Sequence, residues 1–170
     1  YLIFLKYQNL SYYLFIFSCA NSIWPTTFPT IAGIFFTTLS IFLQSANSIT
    51  GDDIKLSERL NIPSSKLRGF ERGKVGPKDG ADHIGGNYAA AINFDAKLPN
   101  LLPENTKTDV SAFLDFGNVW GIDYDSTIDD SNKIRSSTGV AASWLSPLGP
   151  MTFIFSTNLS KADTDKTESF

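Results

Sequence analysis

Cysteine and histidine are almost missing from this chain of 170 residues, which has Cys19 and His83 and no other of either type. A lone cysteine excludes an intramolecular disulfide, and no Cys/His spacing suggests a zinc site. With one histidine in a Gly-rich stretch, no G-x-S-x-G around any serine and no phosphate-binding G-x-x-x-x-G-K-[ST], the chain offers no nucleophile elbow and no nucleotide loop. We expect no enzyme activity, no catalytic residue, no cofactor and no metal. Positive charge is also scarce: the net charge is −3, and no run of Lys and Arg builds a nucleic-acid surface. Apolar runs long enough for a spanning helix are absent too. Residues 9–24 and 31–43 both fall short of the ~20 residues such a helix needs, and Pro25 and Pro29 punctuate the gap between them. Tyr1 in place of Met, and an alternating pattern still running at Phe170, lead us to expect a fragment. No secretory leader is readable, which says nothing about export.

Charge divides what is present into two blocks. Lys6 is the only charged residue in 1–50, so all 17 Asp and Glu lie in 51–170. The first block is rich in Phe, Ile, Leu, Tyr and Thr, and its continuous runs Ile34-Phe35-Phe36 and Ile41-Phe42-Leu43 spoil any alternation. Divergent barrel strands or a stretch translated in a damaged frame are the readings we carry for it, ahead of helices.

The second block alternates cleanly. In 86–98, Tyr88, Ala90, Ile92, Phe94, Ala96 and Leu98 share one face, with Asn87, Asn93, Asp95 and Lys97 on the other. In 109–120, Val110, Ala112, Leu114, Phe116 and Trp120 oppose Asp109, Ser111 and Asp115. Ile134, Val140, Ala142 and Trp144 oppose Arg135, Ser137, Gly139 and Ser143 in 134–146, and Met151, Phe153, Phe155 and Leu159 oppose Thr152, Ser156 and Asn158 in 151–159. Each segment is close to the ~9–11 residues of a tilted membrane-crossing strand.

A soluble sandwich could use the same alternation for its core. Two features favour a membrane barrel: the polar faces carry small residues and charges rather than many long Lys and Glu chains, and Trp120 and Trp144 sit near segment ends, where aromatic girdles lie. The connections alternate in length as in an outer-membrane barrel. Ser146-Pro147-Leu148-Gly149-Pro150 is tight and 99–108 is short, whereas 121–133 is long and 160–167 polar. The long loop holds Asp123, Asp125, Asp129 and Asp130. Its Asp123-x-Asp125 start lacks the Gly and Glu of a calcium loop, so it reads as a solvated loop.

Asp95 and Asp115 are the chemically interesting pair. Two acids on neighbouring strands could serve glycoside hydrolysis, and a soluble β-domain with such a site is one alternative function. Nothing in the sequence suggests a substrate cleft for it. Two inward acids in a confined lumen repel each other and call for a cation, for which a forked guanidinium is suited.

Further motifs carry a family resemblance over 51–170. Leu67-Arg68-Gly69-Phe70, then Val75-Gly76-Pro77-Lys78, resembles the sixth extracellular loop of the BamA-type outer-membrane barrel family, also called bacterial surface antigens, with Leu67 in place of the usual Val. Gly85-Gly86-Asn87 is similar to the start of the family's next strand, and Asp95 stands where relatives often carry a longer Glu. Phe113-Leu114-Asp115-Phe116-Gly117-Asn118-Val119-Trp120 resembles its aromatic-x-Asp-x-Gly-x-Val-Trp strand. Arg135-x-Ser137-x-Gly139, Trp144-x-Ser146-Pro147-x-Gly149-Pro150 and Asp165-Lys166-x-Glu168-x-Phe170 complete the set, which covers little or nothing of 1–50.

The resemblance implies an all-β fold, the C-terminal strands of an antiparallel transmembrane β-barrel of roughly sixteen strands, left incomplete here. It implies the Gram-negative outer membrane as location. The function it implies is insertion of barrel proteins, with unfolded barrel clients, accessory lipoproteins and outer-membrane lipid as partners and no nucleic acid. It also implies that Arg68 folds back into the lumen to pair with Asp115 and Asp95. A two-partner secretion pore of the same superfamily is the other membrane alternative.

Overall fold

The computed structural model describes residues 10–14, 35–47, 54–98, 101–122, 128 and 133–169. Long strands dominate: β1 (Leu10–Leu14), β2 (Phe35–Ser45), β5 (Tyr88–Lys97), β6 (Thr108–Trp120), β7 (Arg135–Ser146) and β8 (Gly149–Ser160). They form one antiparallel sheet in the order β1-β2-β5-β6-β7-β8. Two-residue strands β3 (Lys78–Asp79) and β4 (Asp82–His83) make a small separate ribbon. Among the described residues, no helix is long and apolar enough to cross a membrane. The aspartates of the acidic loop (Asp123, Asp125, Asp129 and Asp130) lie outside the described residues.

The alternation read from the sequence sets the faces. Ile92 and Phe94 of β5, Val140 and Trp144 of β7, and Met151, Phe153, Phe155 and Leu159 of β8 stay exposed on the outer face, with Phe155 53% accessible. An apolar surface spread over several strands is costly in water and at home in lipid. Aromatic residues mark both rims. Tyr88 pairs with Trp120 in register and stacks on it at 5.8 Å, while Trp144 sits at the other end, beside Met151 and Thr108.

The opposite face is buried. Ala89, Ala91, Asn93, Phe113, Asp115, Val119, Arg135, Ser137 and Ala141 are buried there, and what buries much of it is the connection between β2 and β5. Ile54, Leu60, Ile62, Leu67, Phe70 and Val75 from that connection pack with Ala46, Ala89, Ala91 and Val119 into one apolar cluster. Burying one such Leu or Phe contributes about 1.5–3 kcal/mol. Small residues on the wall make the room. A Cβ on Gly117 would lie 3.0 Å from Ile62 Cδ1 and 3.4 Å from Leu67 Cδ1.

Phe42 of β2 also packs against this cluster. An apolar side chain therefore points to the same side as Ser40, and the run Ile41-Phe42-Leu43 is a strand whose two faces are both apolar at that level. The tight link is narrower than the sequence implied: β7 runs to Ser146 and β8 starts at Gly149, so Gly149 and Pro150 belong to the strand. Ser146 closes the turn, its hydroxyl donating to the Gly149 carbonyl at 2.7 Å and accepting from the Leu148 N–H at 3.3 Å.

Candidate functional site

A single register line runs across five adjacent strands on the inner face: Ser40 on β2, Asn93 on β5, Asp115 on β6, Ser137 on β7 and Asn158 on β8. In an antiparallel sheet, residues in register on one face lie about 4.5–5.5 Å apart, so five polar groups form a track. The loop segment 66–69 lies along that track, and each residue of the line bonds to it.

Lys66 Nζ donates to Ser40 Oγ at 3.2 Å, and Asn93 Nδ2 donates to the Lys66 carbonyl at 2.7 Å. The Arg68 N–H donates to Asp115 Oδ2 at 3.1 Å. Ser137 Oγ donates to the Arg68 carbonyl, and Asn158 Nδ2 to the Gly69 carbonyl at 3.0 Å. The line is also cross-linked within itself: Ser40 Oγ donates to Asn93 Oδ1 at 3.1 Å and Asn93 Nδ2 to Asp115 Oδ1 at 2.8 Å.

Arg68 occupies the centre. Its Nε and Nη2 donate to the two oxygens of Asp115 at 2.7 and 2.6 Å, a bidentate fork. Nη1 donates to Asp95 Oδ1 at 2.8 Å, so the shorter Asp reaches the guanidinium without the extra methylene of a Glu. The guanidinium carbon also lies 3.8 Å from the centre of the Phe113 ring, a cation–π contact. The Asp115 side chain is fully buried and that of Arg68 is 11% exposed. Burial opposes charge on the guanidinium, yet hydrogen bonds and charge from Asp115 and Asp95 outweigh it and raise the Arg68 pKa above its ordinary value.

Gly69 explains how the backbone comes so close. It adopts φ +85°, and a Cβ there would stand 2.9 Å from Ser156 Oγ and 3.0 Å from Asn158 Oδ1. Phe70, 3% exposed, anchors the turn in the apolar cluster together with Leu67. All six residues singled out from the sequence (Leu67, Arg68, Gly69, Phe70, Asp95 and Asp115) thus meet at one place.

Sequence reasoning missed the roles of Ser40, Lys66, Asn93, Ser137 and Asn158. Alternation assigns Asn93, Ser137 and Asn158 to the polar faces, but only the strand register lines them up. A second ion pair, this one fully buried, was missed as well: Arg135 Nε donates to Asp165 Oδ2 at 2.9 Å. His83 has a structural contact, its Nε2–H reaching the Thr164 carbonyl at 2.9 Å.

A family model described as the Omp85 superfamily domain matches residues 6–170. The match takes in the strands of the first fifty residues, where the motif set had little to offer. Two similar curated proteins carry the name outer membrane protein assembly factor BamA. The one from Neorickettsia risticii (strain Illinois) is 28% identical over 116 residues, 65% of this chain and 15% of the relative. The one from Neisseria meningitidis serogroup B (strain ATCC BAA-335 / MC58) is 30% identical over 131 residues, 61% of this chain and 16% of the relative. This chain thus spans 15 to 16% of the length of the curated relatives it matches. Among solved structures, BamA from Haemophilus ducreyi lacking POTRA domains 1-3 superposes with a TM-score of 0.73 at 23% identity. That superposition covers 97% of this chain and 33% of the other and establishes the fold, part of an outer-membrane β-barrel.

Proposed function

We propose, from the premise that this chain belongs to the Omp85 superfamily, that it is the C-terminal barrel portion of an assembly factor that folds and inserts β-barrel proteins into the outer membrane of a Gram-negative bacterium. The observation that carries the reading is the Arg68 site: a loop laid into the lumen and held there by a bidentate pair with Asp115, behind a wall whose other face is apolar. A barrel wall has no free edge in lipid, so the six described strands belong to a larger closed structure. Within residues 1–50, β1 and β2 are divergent strands of that same wall, a reading supported by Ser40 of β2 sharing the polar line.

The activity needs no covalent chemistry. An unfolded client strand adds to an exposed strand edge, exchanging backbone bonds to water for bonds to the assembly factor, and leaves into lipid as its own barrel closes. Arg68, Asp115 and Asp95 keep the loop inside the lumen while the wall changes shape. Unfolded barrel clients, accessory lipoproteins of an assembly complex and outer-membrane lipid are the partners; nucleic acid is not one.

Depletion of the complete protein in its host tests this. Many different barrel proteins should disappear from the outer membrane together and accumulate unfolded in the periplasm. If barrel proteins stay at normal levels and one secreted polypeptide is retained instead, the protein is a secretion pore of the same superfamily.

A further inference from the structure

Arg135 and Asp165 are both fully buried, and they are not part of the Arg68 site. A buried charge pair is held only where further hydrogen bonds satisfy the remaining groups, and here those bonds show what the pair connects. Arg135, the first residue of β7, donates through Nε and Nη2 to the two Asp165 oxygens at 2.9 and 3.1 Å, and through Nη1 to Asn118 Oδ1 and the Lys133 carbonyl. Asp165 lies beyond β8 and accepts two backbone donors besides. One is the Ala162 N–H at 2.7 Å, which closes a local turn, and the other is the Gly76 N–H at 3.4 Å, on the far arm of the lumen loop.

The chain around Asp165 runs antiparallel to that arm. Glu71 N–H donates to the Lys166 carbonyl at 3.0 Å, Lys166 N–H to the Lys74 carbonyl at 3.2 Å and Glu168 N–H to the Gly69 carbonyl at 3.1 Å, with Phe70 and Thr167 as a bridge pair. One step further, Ser169 reaches β8. Its carbonyl accepts the Ser156 N–H at 3.1 Å, while Ser156 Oγ donates to the Glu168 carbonyl at 3.1 Å. β8 is the last strand of the described sheet, so these bonds occupy the side of β8 away from β7.

We infer that Arg135 and Asp165 are positioning residues of a clasp that binds segment 161–169 to the lumen loop, so that the loop and the strand edge beyond β8 shift as one unit. Three parts of the molecule meet in it: the base of β7, the loop arm 69–76 and the segment that leads onto the β8 edge. Arg68 fixes the loop to the wall, and the clasp transmits that position to the edge at which a further strand adds. The inference rests on the proposed assembly function for its purpose, but not for its test.

Amide hydrogen exchange of the full-length protein in lipid nanodiscs, without any client, reads the clasp directly. In Arg135→Ala, the amides of Glu71, Lys166, Glu168 and Ser156 should exchange about tenfold faster or more, while the Arg68 amide, held by Asp115, keeps its protection. The paired variant Arg135→Met with Asp165→Leu separates positioning from stability, since apolar replacement of a buried pair restores packing but not the Gly76 and Ala162 bonds. It should regain resistance to heat and still show fast exchange at the same four amides. It also decides the matter if the single variant fails to fold. Wild-type protection of those four amides in the folded paired variant, or equal acceleration of the Arg68 amide, overturns the clasp. A protein that exchanges as described but inserts no barrel clients would leave the clasp standing and overturn the functional reading.

Discussion

Asp115 accepts four N–H donors, three from Arg68 and one from Asn93, and its side chain is fully buried. Removing Arg68 leaves that carboxylate buried and unpaired, so Arg68→Ala should destabilise the folded barrel by about 1–4 kcal/mol. Arg68→Lys should recover only part of the loss, because an ammonium offers no planar fork to Asp115 and no stacked face to Phe113. The midpoint of heat-modifiable gel mobility measures both, and a double cycle with Asp115→Asn isolates the pair. Coupling of at least about 0.5 kcal/mol is expected, and simple addition of the two losses would refute the contact. Asn93→Ala is the sharper test of the polar line. It removes donors to Asp115 and to the Lys66 carbonyl without touching a charge, and should cost about 1–3 kcal/mol in the same assay. pH gives a check of sign. A cation whose folded pKa is raised contributes its stabilisation fully below the ordinary arginine value and loses it only as pH rises through the higher folded value. The midpoint should therefore show no loss attributable to Arg68 between about pH 7 and about pH 10.

The strands from β5 onward were legible because each has one face in lipid and one in the lumen, and the period-two pattern records that difference. Predicted segments 109–120 and 134–146 lie within a residue of β6 and β7. β2 was not legible, and Phe42 is the reason: it faces the lumen but packs on the apolar cluster, so no polar residue marks the inner side there. Arg68, Asp95 and Asp115 could be named from residue type and motif. The polar line could not, since register across five strands is a property of the sheet and not of any one segment. Strand direction yields a topology prediction. β8 runs from the turn at Leu148 to the segment after Ser160, so its two ends lie on opposite sides of the membrane. In the full-length protein on intact cells, Asp163→Cys should react with an impermeant thiol reagent and Leu148→Cys should be protected. The reverse pattern would invert the barrel.

At the scale of the whole molecule, the described sheet is an open wall with an apolar outside and a plugged inside, and both properties make sense only within a closed barrel in a membrane. The loop plug is held by side-chain hydrogen bonds from five strands and by the forked ion pair of Arg68 with Asp115. The claim that unites these observations is that the site serves client insertion, and reconstitution tests it most directly. The full-length protein is placed in lipid vesicles together with its native partners, a denatured outer-membrane barrel protein is added, and folding is followed by heat-modifiable mobility. The account predicts folding well above that in empty vesicles, and a marked loss with Arg68→Ala at a temperature where the variant is still folded. Folding no faster than in empty vesicles, or an undiminished rate in the Arg68→Ala variant, would contradict it.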